Sequence, residues 1–317
     1  MSGAVVRVIG AGVVGLACAL RLQAEGHRVS IWARERTPHT TSDVAAAIWY
    51  PYLVEEDPRV ERWALTGLSQ LLRDAVDPSS GVVVREGAEL SATPLPRPFW
   101  AGAVPLYRLA EIHERPHVFA QSVTMALPVA EMPLYLAWLE ARFLSSGGEI
   151  VTRDVGSLED VLDGCAIVVN ATGLGARELV SDVKLSPVRG QVLRVSQVGI
   201  ERFLLHDAPG EPPTYVIPRS NDIVLGGTSE AGEESYEPDD TTLAAIRARC
   251  EALVPALRAA REVSRQAGLR PYRGGVVRLQ SESRGAGTIV HCYGHGGAGM
   301  TLAWGCADEV AEVVRGR

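Results

Sequence analysis

The fold is decided by Val5-Val6-Arg7-Val8-Ile9-Gly10-Ala11-Gly12-Val13-Val14-Gly15-Leu16. An apolar strand runs straight into a glycine-rich turn, and the pattern that follows is helical. Gly10 permits the tight turn, Gly12 lets backbone approach a pyrophosphate, and Gly15 packs helix on strand. The backbone of Val13 and Val14 then lies at the positive end of the helix, where phosphates bind. A second apolar strand, Val29 to Trp32, follows the Gly26-His27 turn and ends at Arg34-Glu35. Glu35 lies about 20 residues past the last glycine, where such folds place a carboxylate for the adenosine ribose. The reading is a dinucleotide site at the start of the chain.

At 317 residues, 46% of them hydrophobic and 22% charged, the chain can bury a large core and is expected to form two domains. It has no apolar run of membrane-spanning length and no signal peptide, because Val13 to Leu20 is the glycine-rich helix itself. A soluble, cytoplasmic protein is expected. Cys18, Cys165, Cys250, Cys292 and Cys306 stand singly, which suggests buried thiols and no metal site. Lys184 is the only lysine and nearly excludes Schiff-base chemistry. With a net charge of −7 and no basic block, small molecules are expected as partners and nucleic acid is not. The oligomeric state is open, a homodimer included.

Downstream, Thr40, Thr41 and Ser42 precede the small residues Ala45, Ala46 and Ala47. This suits either a loop that wraps phosphate and supports a flat ring, or a plain helix cap. Asp57 to Arg73 has helical spacing, and the stretch to Pro128 reads as short strands and turns. A helix from Pro133 to a Gly147-Gly148 stop leads to a strand at Glu149, and Ala166 to Val169 is a buried strand ending in Asn170-Ala171-Thr172-Gly173. Arg189-Gly190-Gln191 opens another strand, Leu204 to Pro213 is a short connection, and Thr214–Pro218 with Ile223–Gly227 form a hairpin. Thr241 to Leu253 is an amphipathic helix. Near the far end, Thr288 to Cys292 runs into Tyr293-Gly294-His295-Gly296-Gly297-Ala298-Gly299-Met300-Thr301 and a last helix. This second strand, glycine loop and helix offers backbone N–H groups to another part of the same cofactor, which suits an elongated FAD better than NAD.

These runs resemble the D-amino-acid oxidase family of FAD-dependent amine oxidoreductases over nearly the whole chain. The likeness is carried by the first glycine turn, Thr40 to Ala46, Trp49 with Pro51-Tyr52, the turn at Asn170, Arg189-Gly190-Gln191, Tyr215 to Thr228, Gly268-Leu269-Arg270-Pro271, and His291 to Gly299. It implies an α/β fold: a Rossmann-like FAD-binding domain (1–50, 133–186, 274–317) and a discontinuous α+β substrate-binding domain (51–132, 187–273). It further implies FAD and oxidative deamination of neutral D-amino acids by O2, giving 2-oxo acids, ammonia and hydrogen peroxide. D-aspartate or glycine/sarcosine oxidation are the alternatives.

By the same resemblance, Arg270 pairs with the substrate carboxylate, Tyr215 adds a second bond to it, and the Gly297 carbonyl accepts from the amine. Arg273 and Arg278 are rival carboxylate ligands. Gly10, Gly12, Val13, Val14, Gly15, Arg34, Glu35, Thr40, Thr41, Ser42, Ala46, Ala47, Ala171, Thr172, Gly173 and Gly296 through Thr301 are the expected FAD contacts, with Thr301 stabilising charge on the reduced flavin. Two departures stand out. The connection before Tyr215 carries no second tyrosine, so the site is expected to be open, and Tyr50 replaces the family's glutamine and reshapes the side-chain pocket. Ser229-Glu230 follows Thr228 where D-aspartate oxidases carry an arginine, and Glu230 is expected to repel acidic substrates.

Overall fold

The computed structural model describes residues 3–55, 57–111, 119–208, 210–285 and 287–316. The elements are β1 (Val5–Ile9), α1 (Val13–Ala24), β2 (Arg28–Ala33), α2 (Thr41–Val44), α3 (Pro58–Asp74), β3 (Val82–Ser91), β4 (Leu106–Leu109), β5 (Gln121–Ala130), α4 (Met132–Ser145), β6 (Glu149–Thr152), α5 (Leu158–Leu162), β7 (Ile167–Asn170), α6 (Ala176–Leu179), β8 (Ser186–Ser196), β9 (Phe203–His206), β10 (Thr214–Pro218), β11 (Asp222–Gly226), β12 (Glu230–Ala231), α7 (Asp240–Leu253), β13 (Glu262–Tyr272), β14 (Arg278–Arg284), β15 (Gly287–Tyr293) and α8 (Gly299–Arg315).

Six strands form one sheet in the order β14-β15-β7-β1-β2-β6, parallel apart from the β14–β15 pair. Val6 and Val8 of β1 are fully buried, as a central parallel strand covered on both faces requires. Helices α1, α4 and α8 pack together on one face through Leu16, Leu136 and Leu302, while α5 covers the other with Leu158 and Val161. The two glycine turns emerge at the carboxyl ends of β1 and β15, the edge where open α/β sheets bind ligands. Helix α3 lies close on α8: a Cβ on Gly67 would collide with the Thr301 carbonyl, and one on Gly305 with the Trp63 backbone.

The second sheet runs β12-β8-β11-β10-β9-β3-β5-β4, with β13 also paired to β8. Its pairs are antiparallel except β3 with β9. Leu243, Ile246 and Cys250 of α7 cover one face, packed on Leu193, Val216 and Leu225. This sheet is more regular than its sequence suggests. In place of short strands and turns, β3 and β5 are ten-residue strands paired along their whole length. Gly87 and Pro128 disguise them; Gly87 sits in mid-strand because a Cβ there would overlap the Phe203 ring. The expected connection before Tyr215 begins as strand β9, and Arg270 stands on the eleven-residue strand β13.

A buried ionic cluster ties the first sheet to the segment entering the second. Asp182 Oδ2 accepts from Arg273 Nε and from the Tyr293 hydroxyl, both at 2.8 Å. Burial alone would raise this carboxyl, but those bonds and one from the Lys184 backbone outweigh it and hold it below the usual carboxylate range. A depressed folded-state value means stability present above the unfolded pKa of about 4 and lost as pH falls through the folded one. Asp182→Asn is expected to cost about 2 kcal/mol at pH 7, and the variant's stability should fall less steeply than wild type's below pH 5. Urea titrations at pH 7 and in the acid range check both slopes.

Candidate active site

The site begins at the N-terminus of α1. Gly10 adopts φ +110°, a conformation that favours glycine, and a Cβ there would lie 2.5 Å from the Ala171 carbonyl oxygen. Helix α1 starts after Gly12 with no side-chain cap, so its first N–H groups are left for a ligand, apart from Val13 N, which donates to Ser42 Oγ at 3.2 Å. The hydroxyl run settles into both of its readings. Thr40 caps α2 through a reciprocal bond with Asp43, whose Oδ2 accepts from Thr40 N (2.9 Å) and Oγ1 (2.7 Å), and the run also faces the cleft. At the end of β7, Asn170 Oδ1 accepts from Thr172 Oγ1 at 2.8 Å and fixes the turn at Ala171.

Helix α8 supplies the second helical terminus. It too has no side-chain cap, and its first turn adjoins His295, Gly296 and Gly297. His295 is buried and its Nε2 has no partner among the described residues. Burial pushes its pKa down to about 4, so the imidazole is neutral. Thr301 faces the cleft, and its hydroxyl is engaged by backbone. Its hydroxyl accepts from Tyr50 N (3.1 Å) and donates to Tyr50 O (3.0 Å), so the side chain clips backbone and leaves the helix terminus itself to meet negative charge.

Between these elements lies a cavity of about 770 Å³, within the range of sites that enclose small molecules. All but two of the expected cofactor residues line it. The exceptions are Gly15 and Ala298, which pack instead: a Cβ on Gly15 would overlap the Gly10 carbonyl, and Ala298 is fully buried in the core. Arg34 and Glu35 line one end with Trp32 and Arg153, whose guanidinium lies 4.5 Å from the Trp32 ring centre. Arg153 had no motif to announce it. Two uncapped helix termini, the close backbone turn at Gly10 and the unpartnered His295 Nε2 fit an elongated dinucleotide.

Arg270 and Tyr215 line the other end, with Tyr52 and Gly297. Arg270 donates to the Thr228 carbonyl (2.9 Å), stands 5.9 Å from the Tyr52 ring centre and lies near enough to the Tyr215 phenol for its charge to favour the ionised form there. Burial raises the Tyr215 phenol, which stays protonated and able to donate. The rival arginines are engaged elsewhere and do not line the cavity: Arg273 with Asp182, and Arg278 with the Tyr293 hydroxyl at 2.6 Å. Three glycines make room for the pair. A Cβ on Gly190 would overlap the Arg270 guanidinium, and one on Gly226 or Gly227 the Tyr215 ring.

Glu230 is not where the sequence placed it. Arg189 binds its carboxylate, Gln191 Nε2 donates to it at 2.8 Å, and it does not line the cavity. The acidic side chains at this end of the cavity are Glu89 and Asp207, which no motif signalled. Among metal-type side chains, Cys292, His295 and Cys306 have ligand atoms within 4.8 Å of one another and all three are buried. At Cys292 the bond with Cys18 lowers the thiol but the bond with Cys306 and burial outweigh it, and at Cys306 burial raises the thiol against the lowering bond with Cys292.

An extended cleft gripped at two separate places by helix N-termini, and opening into a chamber with a guanidinium, defines an oxidoreductase with a dinucleotide cofactor. The profile of the family described as FAD dependent oxidoreductase matches residues 6–313, and the chain belongs to that family. Its cofactor is FAD. The D-amino-acid oxidase of Rubrobacter xylanophilus is 46% identical over 308 residues, covering 96% of this chain and 94% of that one. Human D-aspartate oxidase is 38% identical over 331 residues, 99% and 95% of the two chains. Among solved structures, glycine oxidase from Geobacillus kaustophilus superposes with a TM-score of 0.80 over 99% of this chain and 95% of its own, at 20% identity, and shares the fold.

The glycine under the guanidinium yields a test. Gly190→Ala forces Arg270 off its position while leaving the FAD cleft untouched. Flavin content by absorbance should be unchanged while kcat/KM falls about a hundredfold, the usual scale for misplacing a positioning group by an ångström.

Proposed function

We propose that this chain catalyses the FAD-dependent oxidative deamination of D-amino acids to 2-oxo acids, ammonia and hydrogen peroxide. The observation that carries it is the placing of Arg270 and Tyr215, both half-buried and seated over glycine backbone, on the same cavity as the FAD cleft. The names of the relatives at 46% and 42% identity point the same way.

FAD held at the N-termini of α1 and α8 would supply the two-electron oxidant for the substrate α-carbon, with O2 as the final electron acceptor. The protein's own task is to hold the α-carbon still. Arg270 offers its planar fork to the α-carboxylate, and the protonated Tyr215 phenol donates to the same group. The Gly297 carbonyl lies on the cavity and is assigned the substrate amine, held as the free base. The uncapped N-terminus of α8 meets negative charge that develops across the cavity. No side chain is assigned as a base, because hydride loss from an unprotonated amine leaves an imino acid that water hydrolyses. Neutral His295 serves as a wall rather than a proton carrier. We assign residues 1–50, 133–186 and 274–317 to the FAD-binding part and the remainder to the substrate-binding part. Five free cysteines, four buried and Cys165 half-buried, support a reducing, cytoplasmic setting.

D-aspartate is the weaker reading despite the human relative. Glu89 and Asp207 line the chamber and would face a side-chain carboxylate with like charge. Hydrogen peroxide release from the holoenzyme, measured with paired D- and L-amino acids, glycine and D-aspartate, tests the assignment. D-isomers alone should turn over, and Arg270→Ala should lower kcat/KM a hundredfold or more, the loss of one buried charge-assisted pair. Faster turnover of glycine or D-aspartate would refute it.

A further inference from the structure

The inner face of the second sheet fixes what the chamber presents to a substrate side chain. Tyr215 of β10 pairs directly with Leu205 of β9, and Leu205 with Glu89 of β3. Directly paired residues project to the same face, and each strand step spans about 4.8 Å, so Glu89 stands roughly 10 Å across the sheet from Tyr215. Leu205 lies between them as an apolar floor, and all three line the cavity. Asp207, just past the end of β9, lines the same end.

Glu89 is held in place. Tyr50, which replaces the family's glutamine, donates its hydroxyl to Glu89 Oε1 at 3.0 Å. Its ring is wedged edge-on against Trp100, which packs in turn on Tyr107 and Trp49. Arg97 is exposed and lies over the Tyr107 ring (5.1 Å). His206, next to Asp207, donates Nδ1–H to the Leu90 carbonyl at 2.9 Å.

We propose that Glu89 and Asp207 form a cation receptor at the side-chain end of the substrate chamber, so that D-amino acids with a terminal amine or guanidinium, D-lysine and D-arginine, are preferred over uncharged ones of equal length. This rests on the oxidase reading above and narrows its substrate class. The distance suits it: a substrate whose carboxylate meets Arg270 and Tyr215 needs an extended stem to reach Glu89, and its methylenes would lie on Leu205. The chamber's charge suits it too. Partial burial raises both carboxyls, and Asp207 raises Glu89 further while His206 lowers Asp207, so a bound cation would favour the ionised pair.

The test compares D-lysine with D-norleucine, which has the same carbon stem and no side-chain ammonium. In the holoenzyme kcat/KM for D-lysine should exceed that for D-norleucine by tenfold or more. Glu89→Gln keeps an acceptor for the Tyr50 hydroxyl, and Asp207→Asn removes the second carboxylate with little change of shape; each should cut that ratio at least fivefold. A binding measurement free of turnover uses 5-aminovalerate against pentanoate, two carboxylates without an α-amine. Calorimetry should show 5-aminovalerate binding more tightly to wild type, with the difference lost in Glu89→Gln. If D-norleucine is oxidised at least as well as D-lysine, or the ratio survives both substitutions, the receptor is refuted and the oxidase reading stands. If no D-amino acid is oxidised by flavin-loaded protein, the oxidase reading itself falls and the receptor with it.

Discussion

A single hydroxyl joins the two halves of the site. Thr301 Oγ1, in the first turn of α8, both accepts from and donates to the backbone of Tyr50, a residue 251 positions earlier. Satisfying a half-buried N–H and C=O at once is worth more than either bond alone, because a fully buried group left unmet costs about 1–3 kcal/mol and a half-buried one part of that. The clip brings the N-terminus of α8, which meets the cofactor, beside the segment whose side chains wall the substrate chamber. Tyr50 then extends the same line to Glu89. Cofactor terminus, clip, phenol and carboxylate form one chain of contacts, so the two ends of the cavity are set relative to one another by hydrogen bonds rather than by loop packing.

The second constraint is space left empty. Arg270 and Tyr215 are large side chains on neighbouring parts of a sheet whose strands are about 4.8 Å apart, and they lie flat only because Gly190, Gly226 and Gly227 present bare backbone beneath them. A guanidinium that rests on a strand and bonds the Thr228 carbonyl has lost most of its rotamer freedom before a ligand arrives. That preorganisation is the kind of positioning a reaction without an acid–base residue depends on.

How much of this the sequence disclosed follows from the range of each signal. The turn at Gly10 and the loop at Gly294 to Gly299 are local, because a short-range pattern carries strand, turn and helix terminus together. Gly15 and Ala298 show the limit of such motifs: they belong to the right segments yet serve packing, one against the Gly10 carbonyl and the other within the core. Thr301 was legible as a residue at the site but not in its task, which depends on a partner far away in the chain. Glu230 was misplaced for the same reason: its neighbour in sequence is Thr228, but its partners are Arg189 and Gln191 on β8. Glu89 was invisible. It lies on a ten-residue strand that Gly87 interrupts, and only the register from β10 through β9 to β3 brings it opposite Tyr215.

The cavity carries charge of both signs around the substrate position: Arg270 stands beside Tyr215, while Glu89 lies two strands away on the same face with Asp207 near it. In a low-dielectric enclosure such an arrangement sorts orientations as well as ligands, because a carboxylate turned toward Glu89 loses the arginine and gains a repulsion. An amino acid therefore enters with one favoured direction, its carboxylate at Arg270. A second positive charge on the side chain sharpens that preference at the opposite end, where a second negative charge would oppose it. The feature that disfavours an acidic side chain is thus the same one that aligns the α-carbon for oxidation, and it comes from a phenol and two carboxylates that the nucleotide-binding motifs leave unmarked.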